Sequence, residues 1–111
     1  MATNFVQNGN VLTVTAPADV ISGQVIKVNG LVGVVLVDAL SGEETEASVS
    51  GVFNVPKKSA DAPSQFQKAY WDDTLKEFTA TATANTLVGC FTMAYIATTT
   101  EADVRFNGIA V

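Results

Sequence analysis

Residues 43–56 read EETEASVSGVFNVP, and this stretch decides the fold class. Between residues 44 and 49 every second side chain is Glu or Ser, and the side chains between them are Thr, Ala and Val. A period of two is typical of a β-strand with one solvated and one buried face. Gly51 interrupts the alternation, and VFNVP resumes it as far as Pro56. We therefore predict extended chain on both sides of Gly51.

The same alternation recurs along the rest of the chain. NVLTVTAP at residues 10–17 and QVIKV at residues 24–28 read as strands, and Asn29-Gly30 suits a tight hairpin turn. The run LVGVVLV at residues 31–37 is apolar at nearly every position, which indicates a central strand covered on both faces. We find no convincing amphipathic helix and no internal repeat.

These patterns predict an all-β protein, because short strands are separated by turn signals at intervals of about 8–12 residues. At 111 residues the chain has the length of one domain and can bury a core without metals or disulfides. We expect a single-domain β-sandwich over residues 1–111, with a small β-barrel as the alternative.

The composition excludes several classes of function. The net charge is −5 and only six residues are Lys or Arg, the opposite of the clustered positive charge of nucleic-acid-binding proteins. No basic segment followed by an apolar one begins the chain, and no apolar run approaches the roughly 20 residues of a membrane span. The single cysteine cannot form an internal disulfide, which fits a reducing compartment. We expect a soluble intracellular product that binds neither nucleic acid nor membrane.

The sequence also lacks the usual catalytic and cofactor motifs. Because the chain has no His, Ser–His–Asp catalysis, Cys–His catalysis and His-bearing zinc sites are excluded. Neither G-x-G-x-x-G nor G-x-x-x-x-G-K-[ST] is present, so no phosphate-binding loop is indicated. Cys90 lies in an apolar strand, where we predict a buried and inert thiol. The sequence therefore predicts a non-enzyme without metal or cofactor.

The stretch AYWDDTLKEFT at residues 69–79 has two interpretations. Asp72, Asp73 and Glu77 would serve chemistry only if their carboxylates converged, but neighbouring side chains on a strand point to opposite faces. Asp also favours turns, because its carboxylate accepts hydrogen bonds from amides two residues on. We predict a turn between two strands, with Trp71 and Phe78 packed across them.

The acidic run at Glu43, Glu44 and Glu46 is a further candidate feature. We interpret it as the solvated edge of a sheet, where charged side chains discourage the addition of another strand.

Three runs, in this order, carry a resemblance to a known family. They are GVFNVPK at residues 51–57, YWD at residues 70–72 and NTLVG ending at Gly89. Over nearly its whole length the chain resembles the capsid cement, or head-decoration, proteins of tailed phages. From this resemblance we take six residues as fold positions, namely Gly51, Phe53, Pro56, Tyr70, Trp71 and Gly89.

The resemblance implies a β-sandwich of jelly-roll character that assembles as a homo-dimer or homo-trimer. It further implies a protein made in the cytoplasm of the bacterial host and located on the virion, where it binds the major capsid protein on the outside of the head. Members of this family have also been labelled recombinases of the RecA or RadA type. The net charge and the missing phosphate-binding loop give that label no physical support.

The N-terminal residues 1–9 precede the first regular alternation and are mostly polar. Two interpretations stay open for Phe5 and Val6. They belong to an extended arm that contacts the capsid or a neighbouring subunit, or they form an ordinary first strand of their own subunit.

Two other classes of function remain as alternatives. A ligand-binding or carbohydrate-binding β-sandwich would use Tyr70 and Trp71 as a stacking platform and should show exposed rings in a concave pocket. An enzyme would need Asp72, Asp73 and Glu77 to converge with perturbed pKa values.

Overall fold

A computed structural model of the chain describes residues 9–111, so Phe5 and Val6 and most of the predicted arm lie outside the described part. The described residues form nine β-strands and no helix long and apolar enough to cross a membrane. The strands are β1 Val11–Thr15, β2 Val25–Val28, β3 Leu31–Val35, β4 Glu44–Ser48, β5 Ser50–Pro56, β6 Lys68–Asp72, β7 Glu77–Thr79, β8 Thr86–Phe91 and β9 Glu101–Asn107.

The strands form two antiparallel sheets, which confirms the all-β sandwich. The first sheet has the order β1-β4-β3-β2 and the second has the order β5-β9-β8-β6-β7. The chain therefore completes one sheet before it starts the other, whereas consecutive strands of a jelly roll pass between its two sheets.

The second sheet curls far enough to approach a barrel. Lys57, which follows β5, forms a parallel bridge with Phe78 of β7, and the Lys58 amide donates to the Phe78 carbonyl at 2.8 Å. This bridge joins the two outer strands of the second sheet at one point. The barrel that we gave as an alternative therefore applies only to the curvature of the second sheet. The first sheet stays open, with β1 and β2 as its outer strands.

A sharp corner in the chain connects the two sheets. Only Val49 separates β4 from β5, and Gly51 has a φ of +118°, a conformation that side chains with a Cβ rarely adopt. The Val49 amide donates to the Asn10 carbonyl at 2.9 Å, which fixes the start of the described chain against the corner. The predicted extended chain on both sides of Gly51 is confirmed.

Both sheets contribute to one apolar core. Trp71 contacts Phe78 with ring centroids 5.0 Å apart, and Phe106 contacts Phe78 at 5.6 Å and Phe53 at 5.5 Å. The first sheet adds a group of buried valines to this cluster, namely Val25, Val32 and Val34. Burial of each large side chain of this kind contributes roughly 1.5–3 kcal/mol.

A second apolar cluster lies on the other face of the first sheet. It consists of Ala16, Val20, Ile26, Val35, Ala39 and Ala47. Because Val34 packs in the first cluster and Val35 in the second, β3 is covered on both faces, as the apolar run at residues 31–37 predicts.

The acidic run does not lie at a sheet edge. Glu44 and Glu46 belong to β4, which pairs with β1 on one side and with β3 on the other. Both side chains are exposed, as is Thr13 opposite Glu46, because this part of the sheet faces solvent. The predicted solvated surface is confirmed, but the predicted edge position is wrong.

Gly89 illustrates how tightly the second sheet is built. A Cβ at this position would overlap the Arg105 carbonyl oxygen, which belongs to the neighbouring strand β9. We expect Gly89→Ala to lower the free energy of unfolding by about 3 kcal/mol, because β8 and β9 must separate locally to admit the methyl group.

The matched control is Gly9→Ala, since a Cβ at Gly9 would meet no atom of the described residues 9–111 within 4 Å. Chemical denaturation of both variants tests the expectation. If the two variants are equally stable, the space between β8 and β9 can admit a methyl group at position 89, which would contradict the expectation.

Candidate functional site

The acidic stretch between β6 and β7 is a turn. The Asp72 carboxylate accepts hydrogen bonds from the amides of Thr74 and Leu75, both at 3.0 Å. The Lys76 amide donates to the Asp72 carbonyl at 2.7 Å, and Lys76 has a φ of +57°. The prediction of a turn is confirmed.

Asp73 also forms hydrogen bonds within this hairpin. Its carboxylate accepts hydrogen bonds from the Lys76 ammonium at 2.9 Å and from the Trp71 indole N–H at 3.0 Å. The bond from Lys76, followed by that from Trp71, lowers the pKa of Asp73 below its ordinary value. The alternative of convergent catalytic carboxylates finds no geometric support, because Asp72 and Asp73 both bind groups of their own hairpin.

The alternative of an aromatic platform for a carbohydrate finds no geometric support. Trp71 is only 2% exposed and packs on Phe78 inside the core. Tyr70 is its neighbour on β6 and is half-buried, so the two rings point to opposite faces of the sheet. They do not form one exposed surface on which a sugar could stack.

The predicted burial of the Cys90 side chain is wrong. The thiol is half-buried rather than buried. Cys90 lies opposite Lys68 on β6 and Arg105 on β9, and both of these neighbours are exposed. The residue therefore lies on the outer face of the second sheet, which the apolar residues around it in the sequence did not indicate.

A buried lysine joins the loop after β5 to the loop between β8 and β9. Lys57 is 3% exposed, and its ammonium donates to the carbonyls of Lys58 at 2.7 Å and Thr99 at 3.1 Å. These hydrogen bonds replace the ones that the ammonium group would form with water. The geometry indicates a structural role for this lysine.

Asp61 fastens the same loop to the end of β7. Its carboxylate accepts hydrogen bonds from the Thr79 hydroxyl and from the Ala80 amide, the latter at 3.0 Å. Burial of Asp61 opposes ionisation, but these two bonds and the nearby Lys58 and Lys57 outweigh it and lower the pKa of Asp61. The loop is thus held by an ionised carboxylate.

The loop before β2 and the loop after β3 lie side by side and were not singled out by the sequence analysis. Residues 19–24 read DVISGQ and residues 38–43 read DALSGE, so they share the pattern D-x-[IL]-S-G-[QE]. We call residues 16–24 and 36–46 the loop pair, which includes the first three residues of β4. The shared pattern is an internal repeat, and the expectation of none is wrong.

The backbones of the two loops bind each other directly. Val20 and Ala39 exchange two hydrogen bonds, at 2.9 and 3.0 Å. Gly23 and Gly42 occupy equivalent places with φ values of +92° and +87°. The repeat in sequence is therefore also a repeat in conformation.

Two aspartates bind across the loop pair in a reciprocal manner. The Asp19 carboxylate accepts from the Ser41 amide at 2.9 Å, and the Asp38 carboxylate accepts from the Ser22 amide at 2.7 Å. Each loop thus supplies the carboxylate that caps the turn of the other loop. This exchange explains why Asp stands first in both copies of the pattern.

The loop pair presents two large aliphatic side chains to solvent. Ile21 is 64% exposed and Leu40 is 61% exposed. Their amides are fixed, because the Ile21 amide donates to the Gln24 side chain at 3.1 Å and the Leu40 amide to the Glu43 carboxylate at 2.8 Å. Both side chains line one groove of about 340 Å³. The repeated pattern, with an aliphatic residue where turns usually carry polar ones, is the signal that would have identified them.

The negative charge of the protein is concentrated on the loop pair. Of eleven acidic residues in the chain, the loop pair holds Asp19, Asp38, Glu43, Glu44 and Glu46, and it holds no Lys or Arg. Six acidic and six basic residues remain elsewhere, so the rest of the chain carries no net formal charge. Within residues 9–111 none of the five carboxylates forms an ion pair.

A second group of exposed apolar side chains, which we call a second apolar patch, lies on loops that connect strands of the second sheet. Phe66, Met93 and Ile96 are exposed on two loops that contact each other. These loops are joined where the Tyr95 amide donates to the Pro63 carbonyl at 3.0 Å. Exposed apolar groups of this kind mark interaction surfaces more often than catalytic ones.

The described residues contain no group of three or more His, Cys, Asp or Glu side chains arranged to hold a metal ion. Within residues 9–111 the features that stand out are therefore exposed apolar surfaces on well-bonded loops.

A family model described as phage cement protein matches residues 6–106, which span both sheets. No curated protein and no solved structure matches the chain.

The turn and the core beneath it make separate contributions to stability. We expect Asp72→Ala to cost about 0.5–2 kcal/mol, the range for loss of a capping hydrogen bond. Trp71→Ala should cost about 3–5 kcal/mol, because it leaves a cavity beside Phe78.

Thermal unfolding of both variants tests these values. Thr74→Ala is the control, since its exposed side chain lies in the same turn and makes no hydrogen bond within the described structure. A Trp71→Ala protein as stable as the control would contradict the burial of the indole ring.

Proposed function

This chain belongs to the phage cement protein family, and we propose that it binds the outer surface of an icosahedral phage head and stabilises the shell. The main support for the proposal is the extent of the family match, which covers residues 6–106 and therefore all nine described strands except the last residue of β9. We infer a structural role without catalysis, cofactor or metal.

The physical properties of the chain support this role. A cement protein needs a rigid body, and here the long loops are fixed by carboxylate and lysine hydrogen bonds to neighbouring segments. It also needs contact surfaces, and the exposed aliphatic and aromatic side chains of the two patches supply apolar area. Each copy can bind weakly, because many copies act together over one shell.

We propose the major capsid protein as the principal partner. The net charge of −5 favours the outside of the shell over contact with packaged DNA, whose phosphates would repel the protein. The virion surface is then the site of action, and the cytoplasm of the bacterial host is the place of synthesis.

We further propose that the protein associates with itself as a homo-dimer or homo-trimer. The patch at Phe66, Met93 and Ile96 supports this, because three large apolar side chains are exposed on two loops that are hydrogen-bonded to each other.

Residues 1–9 are proposed as a further contact element, with Phe5 and Val6 as its apolar anchors. The described fold is anchored just after this segment, because the Asn10 carbonyl accepts a hydrogen bond from the Val49 amide and the Asn10 side chain accepts one from the Ser50 hydroxyl at 2.9 Å. Aromatic anchors contribute strongly to interfaces, and Phe5 is the one aromatic residue of the segment.

The direct test of the proposed function uses expanded capsids that lack the protein. We expect the purified protein to bind them with a fixed number of copies per shell and to raise the temperature at which packaged DNA is released. Bovine serum albumin at equal concentration controls for non-specific adsorption. Absence of binding, or binding without any gain in shell stability, would contradict the proposal.

The N-terminal contact is tested with a chain that starts at Asn10 and with Phe5→Ala. Both should melt like the parent but bind capsids at least tenfold more weakly, which corresponds to about 1.4 kcal/mol per site. Asn4→Ala in the same segment should behave like the parent. If the truncated chain melts far lower, or fills capsids as completely as the parent, residues 1–9 belong to the fold of their own subunit.

A further inference from the structure

We propose that the loop pair is the surface that attaches this protein to the shell, and that it binds a coat-protein segment with an aliphatic centre and a rim of Lys or Arg. This inference rests on the proposed function and names the attachment surface. It follows from the rigidity, the exposed apolar area and the charge of residues 16–24 and 36–46.

The rigidity of the loop pair lowers the entropic cost of binding. Two backbone bonds join Val20 to Ala39, and the carboxylates of Asp19 and Asp38 cap the opposite turns. A surface that is already held in one conformation loses little freedom when a partner binds. Exposed side chains on this frame therefore contribute more of their contact energy to affinity.

The apolar part of the surface is the groove between Ile21 and Leu40. Both side chains are more than half exposed, although the same loops bury Val20 and Ala39 beneath them. The groove volume of about 340 Å³ accommodates more than one aliphatic side chain of a partner. Exposed large apolar groups at a fixed turn are typical of a contact surface.

The charge of the loop pair selects the partner. Asp19, Asp38 and Glu43 line the groove, and Glu44 and Glu46 add further negative charge on β4. Within residues 9–111 none of these five carboxylates forms an ion pair. A second copy that presented the same groove would bring six carboxylates into one contact, and like charges at an interface are strongly unfavourable. Basic side chains on the coat protein would complement this surface and steer the protein to the shell.

The test measures binding to expanded capsids by Ile21→Ser, Leu40→Ser and Glu44→Lys. The first two remove exposed apolar area, and the third reverses a charge that makes no hydrogen bond or ion pair in residues 9–111. We expect each to keep the melting temperature of the parent and to weaken capsid binding about tenfold or more.

Matched controls lie outside the loop pair. Leu75→Ser removes an aliphatic side chain that is 62% exposed, and Glu101→Lys makes the same change of net charge at another exposed position. Both should bind like the parent. Parent binding should also weaken between about 50 and 500 mM salt, and Glu44→Lys should reduce this dependence while Glu101→Lys should not.

The outcomes separate the two proposals. If the parent binds and the loop-pair variants bind as tightly as it does, the attachment surface lies elsewhere and the inference is overturned while the proposed function stands. If the parent itself fails to bind, the proposed function and the inference fall together. Tighter binding of Glu44→Lys would show that the coat surface is acidic, which also overturns the inference.

Discussion

The corner at Val49–Gly51 is the constraint on which the structure depends. It turns the last strand of the first sheet into the first strand of the second sheet with a single residue between them. Because Gly51 is in a conformation reserved largely for glycine and Val49 is bonded to Asn10, the angle between the sheets is fixed locally. The valines of the first sheet can then meet the aromatic cluster of the second. The loops of both sheets are therefore carried on one rigid body.

A rigid body with contact surfaces at its loops fits a protein that reinforces a shell. The polar side chains that sequence reasoning first suggests for chemistry, above all Asp72 and Asp73, stabilise turns instead. The large exposed side chains available for contact with partners are apolar. The loop pair also carries five acidic residues and no basic residue, which equals the net charge of the protein. Apolar contact supplies affinity and charge supplies orientation and rate. Such a division suits many identical, individually weak contacts over one surface.

Local patterns predicted much of the fold, and long-range pairing was the part that they could not predict. The alternation at residues 44–49 and the turn that Asp72 stabilises each involve only a few neighbouring residues, so both could be predicted from the sequence. Whether Glu44 stands at an edge depends on which strands pair with β4, and β1 lies about thirty residues earlier in the chain. The outward position of Cys90 depends on strand pairing in the same way. The pattern shared by the two loops is visible in the sequence, but six residues are too few to predict that the two copies pair with each other.

We propose that this phage cement protein binds the outside of the shell as one rigid body, with the loop pair against the coat protein. An electron cryo-microscopy map of decorated, expanded capsids at side-chain resolution would show this contact. We expect density for both sheets in the arrangement given above, with Ile21 and Leu40 buried against the coat protein and basic coat residues opposite the carboxylates of the loop pair. A map in which the loop pair faces solvent, or in which the two sheets have changed their relative orientation, would contradict it.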